Sequence, residues 1–385
     1  MILRRDFSMG ILISEMREGK AVEGIYLVRS KSIGTTRAGK PFLTLKLQDR
    51  SGEMEAKVWE GAEKASKEFS NGDFVKTAGQ VNEYNGKLQL TLQSVKRVEG
   101  AEINIRDFLP SSKRSLDEML SELGDCIRKV KDPHLVKLLL MIFQDPVFKE
   151  KFSEAPAAKG MHHAYLGGLL EHTLSLFQLC ECVAPRFPEV DLDLLFTGAL
   201  LHDIGKVDEL EYSRGFSYTD RGRLMGHIVL ELEQVSEAIR SIPGFPDEKA
   251  ILLKHLLISH HGKEEFGSPV KPMTLTALIL HMMDDLDAKS QTFRGMIEGS
   301  QGDERWSAYH NRLQQFVFKG FPSEGGRRRR EDDADSPVSR LSAPRTRQAG
   351  AGTGRNGSPS DSQSSDLPAP RARQAGKDED QKTLF

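Results

Sequence analysis

The 385-residue chain has few cysteines, no long apolar runs and no excess of either charge. There are three cysteines, Cys126, Cys180 and Cys182. None forms a CxxC pair, so a disulfide framework is excluded and a reducing compartment fits. The longest apolar stretches, such as LLLMIF at 138–143, are far too short to span a bilayer. The opening MILRRDFSMG leads into charged residues, not an apolar signal core. A cytoplasmic protein with no membrane partner is therefore expected. The formal net charge is −2, so no global field commits the chain to nucleic acid or membrane. No GxSxG motif, Cys/His arrangement or HExxH motif is present, which removes the common protein nucleophiles and the zincin class. The length itself exceeds one compact domain and predicts two or three.

Residues 1–100 alternate with the period of strands. FLTLKL (42–47), GEMEAKVW (52–59) and KLQLTL (87–92) each place an apolar residue at every second position, which predicts one buried and one wet face. DRSG (49–52) and YNGK (84–87) are turn signals between such runs. GAEKASKEFSNG (61–72) reads as a short helix closed by Asn-Gly. Three strands, a helix and two further strands is the order of an OB-fold, whose open face binds oligonucleotides. This region carries 17 Lys and Arg against 13 Asp and Glu, a net of +4. The stretch RSKSIGTTRAGK (29–40) concentrates Arg29, Lys31, Arg37 and Lys40, candidates for phosphate contact. Tyr26, Phe42, Trp59 and Tyr84 are candidate stacking platforms for bases, with a core position as the alternative for each.

After a linker at 101–111 the period changes. Over 112–322 apolar residues recur three and four apart, as in SLDEMLSELGDCIRKV (115–130), LGGLLEHTLSLFQLCECV (166–183) and LTALILHMMDDLDAKS (275–290), which predicts an all-α domain. Residues 323–385 change again to Gly, Ser, Pro, Arg and Asp. Such a composition cannot bury enough apolar surface to fold, and a disordered tail is expected.

The helical region concentrates histidines beside apolar helix faces: His162 and His163, His172, the His202-Asp203 pair, His227, His255, the His260-His261 pair, and His281 three residues before Asp284. A single histidine is more often a satisfied polar residue than a ligand. A series of this length is hard to read as independent accidents. Imidazoles and carboxylates without a neighbouring cysteine suit divalent metals held by nitrogen and oxygen.

The order H…HD…H…HH…D is that of the HD superfamily. HHAYLGGLLEHTLSL, LLHDIGKVDEL, RLMGHI, LLISHHGKEEFGSP and HMMDDLDAK together resemble YhaM-type 3′→5′ exonucleases, bacterial proteins with an OB-fold followed by an HD domain. The resemblance covers about residues 1–320. It implies two divalent cations, manganese before magnesium, iron or cobalt. His172, His202, Asp203 and Asp284 would form one site. His227, His260 and His261 would form the other, with Asp203 bridging the two. His255 and His281 read as supporting residues, and Asp287 of the D-x-x-D-A pattern supports Asp284. Adjacent His260 and His261 can share an ion only where their helix ends, as Gly262 suggests. Lys206 would contact a substrate phosphate, with a surface lysine as the alternative. His162 and His163 would cap the first ligand helix or touch the leaving group.

The implied reaction is phosphodiester hydrolysis of single-stranded RNA or DNA by a metal-activated water. The 3′→5′ polarity comes from the resemblance alone. The alternatives are another HD phosphohydrolase, namely a cyclic-dinucleotide phosphodiesterase or a nucleotidase, and a non-enzymatic nucleic-acid adaptor. The terminal QKTLF (381–385) resembles the peptide by which bacterial replication and repair proteins dock on the sliding clamp. Gln381 would sit at the pocket rim, and Leu384 and Phe385 in an apolar slot. The alternative is that a tolerant chain terminus carries no role.

Overall fold

The computed structural model describes residues 10–98, 103–160, 163–298, 305–311 and 313–321. His162, the tail and its terminal motif lie outside these residues.

The N-terminal module is a closed five-stranded barrel with strand order β1-β2-β3-β5-β4. Its elements are β1 (Ala21–Thr35), β2 (Pro41–Asp49), β3 (Gly52–Val58), helix α1 (Ala62–Glu68), β4 (Phe74–Tyr84) and β5 (Lys87–Arg97). The alternating residues face inward. Leu43, Leu45 and Leu47 stand opposite Val58, Ala56 and Met54, and β5 closes onto β3 in parallel with Leu90 and Leu92 beside Ala56 and Val58. All eight are buried. This is the OB topology, with α1 between β3 and β4 as its order in the chain requires.

The second module is helical. It comprises α2 (Leu116–Lys129), α3 (Pro133–Phe143), α4 (Pro146–Glu154), α5 (Gly168–Val183), α6 (Leu192–Leu201), α7 (Lys206–Glu209), α8 (Asp220–Arg240), α9 (Asp247–Ser259) and α10 (Leu275–Glu298). A two-residue hairpin, β6 (Leu210–Glu211) with β7 (Ser217–Tyr218), interrupts the expected all-α character. Helix α4 is not expected from the sequence, because only Phe152 and Ser153 of its nine residues are buried.

β1 is buried on both faces from Gly24 to Val28. Tyr26 and Val28 point into the barrel core. Ile25 and Leu27 point outward into a second apolar cluster with Phe108, Leu109, Leu166 and Phe216. That cluster joins the barrel to the helical module through residues 108–109, so the segment between the modules is packed in place by its own side chains.

Candidate metal centre

The centre lies where the ends of α6 and α9, the break in α8, the first turns of α5 and the middle of α10 come together. α6 is mostly apolar and stops at His202, its C-cap. The chain then turns through Asp203-Ile204-Gly205 into α7. Gly205 is required here for close approach. A Cβ at this position would stand 2.1 Å from the His227 carbonyl oxygen and 2.8 Å from the Glu231 nitrogen. With glycine, α7 lies directly on α8 and delivers His227 to Asp203. α8 itself is broken at Gly226 (φ 72°, ψ 157°), so the helix restarts at His227. Glu209 caps this restart, accepting from the His227 backbone N–H at 3.1 Å and lying 3.2 Å from Nδ1. α9 ends at Ser259, and Gly262 takes the left-handed conformation (φ 77°) against the His281 ring. His260 and His261 therefore leave the helical register and turn inward together, their ring centroids 4.2 Å apart.

Two groups of donors meet at Asp203, and a third cluster of His163, His172 and Asp287 lies behind His172. In the first, His172 Nε2 and His202 Nε2 are 3.1 Å apart. His172 Nε2 lies 3.2 Å from Asp284 Oδ1 and 3.4 Å from Asp203 Oδ2, and His202 Nε2 lies 3.2 Å from that same oxygen. In the second, Asp203 Oδ1 lies 3.5 Å from His227 Nε2 and 3.8 Å from His260 Nε2, with His261 alongside. Donors about 2.1 Å from one ion stand about 3.0–3.4 Å apart at ordinary bond angles; four spacings of the first group fall in this range, and His202 Nε2 to Asp284 Oδ1 is wider at 3.8 Å. All seven residues are buried.

The chemistry of the donor set fits a metal. Asp203 Oδ1, His227 Nε2 and His260 Nε2 are buried without a hydrogen-bond partner among the described residues, an arrangement that is costly for a protein to maintain for packing alone. Each imidazole is also fixed from behind at Nδ1, by Asp287 for His172 (2.7 Å), Ala199 O for His202 (3.0 Å), Glu209 for His227, Leu257 O for His260 (2.6 Å) and Phe266 O for His261 (2.7 Å). An Nδ1–H directed at an oxygen acceptor leaves Nε2 as the metal-binding lone pair.

The electrostatics is that of a compact charge cluster. Burial opposes ionisation of Asp203, but Lys206 and His202 hold its carboxyl well below the usual range. Burial likewise opposes charge on His172, and hydrogen bonds to Asp203, Asp284 and Asp287 overcome it and raise the imidazole well above its ordinary value. Divalent metal would have to displace that proton. Burial and the neighbouring His202 push His260 down to about 3, and it stays a neutral donor across the physiological range. Lys206 is buried, not on the surface, and its ammonium lies 2.7 Å from Asp203 Oδ2.

His281 and His255 stand outside the donor set. His281 Nδ1 lies 2.8 Å from the His260 carbonyl, and His255 Nε2 accepts from the Met273 N–H at 2.9 Å. Three residues the sequence reading passed over belong to the surroundings. Ser175, one turn after His172, donates to Asp287; its helical spacing was the available signal. Glu209 and Glu231 had none.

Glu231 is fully buried and neither carboxyl oxygen has a hydrogen-bond partner among the described residues. Burial, then the Asp203 charge, pushes its carboxyl well above the ordinary glutamate value of 4.5. The folded metal-free protein thus keeps a proton there that the unfolded chain releases above that value, and stability falls as pH rises. Glu231→Gln is isosteric and does not titrate. In EDTA it is expected to raise Tm by a few degrees, with a gain that grows between pH 5 and pH 8. A gain that does not change with pH would count against a buried neutral carboxyl.

The barrel residues fall into two groups. Trp59 is 47% exposed and lies against Phe42, ring centroids 5.1 Å apart, with the Lys57 ammonium 5.3 Å from the Phe42 centroid. Tyr84 and the loop residues Arg37 and Lys40 are exposed. Tyr26, in contrast, is a core residue and not a stacking platform. It is fully buried and its hydroxyl donates to the Ile11 carbonyl. Arg29 and Lys31 also differ from the expected loop contacts. The Lys31 ammonium donates to the Ser66 and Phe69 carbonyls at the end of α1, where a cation complements the helix dipole. Arg29 is 3.6 Å from Glu53, and its guanidinium closes against Gly215 of the β6–β7 turn.

Comparison with known proteins agrees with this architecture. The OB-fold nucleic acid binding domain family matches residues 27–98 and the HD domain family matches residues 169–289. The 3′-5′ exoribonuclease YhaM of Bacillus subtilis is 37% identical over 281 residues, 73% of this chain and 88% of that protein. The protein of the same name from Halalkalibacterium halodurans is 35% identical over 309 residues, 79% of this chain and 95% of its own. Among solved structures, the second OB-fold domain of replication protein A from Methanococcus maripaludis is 19% identical and covers 24% of this chain and 98% of its own, at a TM-score of 0.20. An OB barrel joined to an HD domain, with identity at this level over most of the chain, places it in the YhaM family of HD-domain nucleases, and it is a hydrolytic enzyme of that family.

Proposed function

We propose that the chain is a two-metal 3′→5′ exonuclease acting on single-stranded RNA or DNA, with His172, His202, Asp203 and Asp284 holding one cation and Asp203, His227, His260 and His261 the other. The observation that carries this reading is the division of Asp203. Its Oδ2 belongs to one donor group and its Oδ1, unpartnered and buried, to the other. Two cations, manganese in first place, would supply Lewis acidity at the scissile phosphate and a water activated near neutral pH. Lys206 holds a buried positive charge beside the same phosphate position and balances the carboxylates. The barrel supplies Trp59, Phe42, Arg37 and Lys40 for a sequence-independent grip on a single strand.

RNA is favoured because the relatives are named for it, and the 3′→5′ polarity rests on them too. A cyclic-dinucleotide phosphodiesterase or nucleotidase would have little use for the barrel. A non-enzymatic adaptor would have no need of seven converging donors. End-labelled single-stranded RNA and DNA incubated with Mn²⁺, Mg²⁺ or EDTA test the reading. Stepwise shortening from the 3′ end under Mn²⁺ and none in EDTA is expected, and metal-independent cleavage would overturn it.

The sliding clamp remains a proposed partner through Gln381, Leu384 and Phe385. Fluorescence polarisation of a labelled 376–385 peptide tests it. Micromolar binding to the clamp by this peptide, and none by one carrying Leu384→Ala and Phe385→Ala, is the expected result.

A further inference from the structure

The stretch HHAYLGGLLEH contains a device outside the donor set. His163 is a buried non-glycine residue in the left-handed region (φ 49°). A side chain held in that conformation inside a protein signals a constraint imposed by its surroundings. The constraint is visible. The His163 carbonyl accepts from the Ala157 and Tyr165 N–H groups. The start of α5 packs against it so closely that a Cβ on Gly168 would stand 2.0 Å from the His163 oxygen. The glycine at 168 thus lets this loop lie down on the helix that carries His172.

This geometry delivers the imidazole to Asp287. His163 Nε2 lies 3.1 Å from Asp287 Oδ2, and Nδ1 lies 2.8 Å from the Tyr165 hydroxyl. A carboxylate only accepts, so Nε2 carries the hydrogen, while Nδ1 meets the hydroxyl of Tyr165, which also hydrogen-bonds Glu171. Asp287 also receives the His172 Nδ1–H on Oδ2 and the Ser175 hydroxyl on Oδ1. The close separations mark these contacts as hydrogen bonds, and His172 Nδ1 is committed to Asp287 in them. We propose that His163 is a positioning residue. Supported by Tyr165, it fixes Asp287 so that Asp287 fixes His172, and the His172 Nε2 lone pair is thereby aimed at the first cation position, beside Asp203 and Asp284.

This inference rests on the two-metal reading, and the test separates the two. The full-length protein, stripped of metal, is titrated with Mn²⁺ by calorimetry. Wild type is expected to take up two ions. His163→Ala removes the donor and keeps the Cβ, at some cost in the left-handed backbone, which the Tm reading accounts for. One of the two ions should then bind about 10- to 100-fold more weakly, the usual effect of losing such a support, while the other is unchanged. His163→Gln can place an N–H near the same position and should restore most of the lost affinity. With RNA as substrate, kcat of His163→Ala should recover at high Mn²⁺, with KM for RNA unaltered throughout. Wild-type-like Mn²⁺ binding by His163→Ala overturns the inference alone. So does equal weakening in the Ala and Gln variants with a matching fall in Tm, which would make the residue merely structural. Failure of wild type to bind Mn²⁺ overturns the two-metal reading, and this inference with it.

Discussion

Asp203→Asn is expected to abolish nuclease activity, by about a thousandfold or more, while leaving the fold intact. The magnitude corresponds to roughly 4 kcal/mol of lost transition-state stabilisation. Asp203 is the one residue whose oxygens serve both donor groups, so its substitution weakens both sites at once. The choice of Asn follows from Lys206. That ammonium is buried and bonded to Asp203 Oδ2 at 2.7 Å. Asp203→Ala would strand the charge, a loss of about 3–5 kcal/mol, and inactivity would then report unfolding as readily as lost chemistry. Asn keeps an oxygen for Lys206 and removes the negative charge. Circular dichroism should be unchanged, Mn²⁺ uptake should fall in calorimetry, and labelled single-stranded RNA should persist. A folded Asp203→Asn protein that digests RNA at near wild-type rate would show that the bridging carboxylate is not needed.

What the sequence revealed of this enzyme follows from where burial is one-sided. Leu43, Leu45 and Leu47 alternate with polar partners because only one face of β2 is inside, so the strand could be read directly. The first half of β1 showed no such alternation. Ile25 and Leu27 are as buried as Tyr26 and Val28 because the helical module covers the outer face. A strand buried on both faces reads as an apolar run and conceals its register. The same contact explains Tyr26, an aromatic in a binding-type region that turned out to be core. The residues that converge on Asp203 were legible because histidines beside apolar helix faces are conspicuous, and α9 ends before Gly262 as expected. The outer supports were not. Glu209 reaches His227 from 18 positions away and His163 reaches Asp287 from 124. No local period encodes such pairs. Gly205 acquires a meaning only when the His227 carbonyl is found 2.1 Å from where its Cβ would be.

The covered face of β1 also decides how the barrel's role must be measured. Deleting it would strip the outer half of the apolar cluster and expose Phe108, Leu109, Leu166 and Phe216 to water. A truncated protein would then lose stability together with substrate affinity. Point substitutions on the open surface avoid this. Trp59 is half exposed, contributes nothing to the junction, and lies against Phe42 beside the Lys57 ammonium, a ready platform for a base. Stacking of one base on an aromatic is worth about 1–3 kcal/mol by alanine substitution. Trp59→Ala in the full-length chain is therefore expected to raise KM for single-stranded RNA about tenfold, with kcat and Mn²⁺ affinity unchanged, because every residue of the donor groups belongs to the helical module. Arg37→Ala with Lys40→Ala should act through phosphates instead, lowering affinity and flattening its dependence on salt by up to one unit of slope per lost contact. The two effects should add, since one is stacking and the other counterion release. Arg29→Ala is the informative contrast. Its guanidinium is held by Glu53 and packed on Gly215, so it should alter thermal stability with little change in the salt slope. If Trp59→Ala leaves KM unaltered while Arg29→Ala changes the salt slope, the strand runs along the junction between the modules and not across the open face of the barrel.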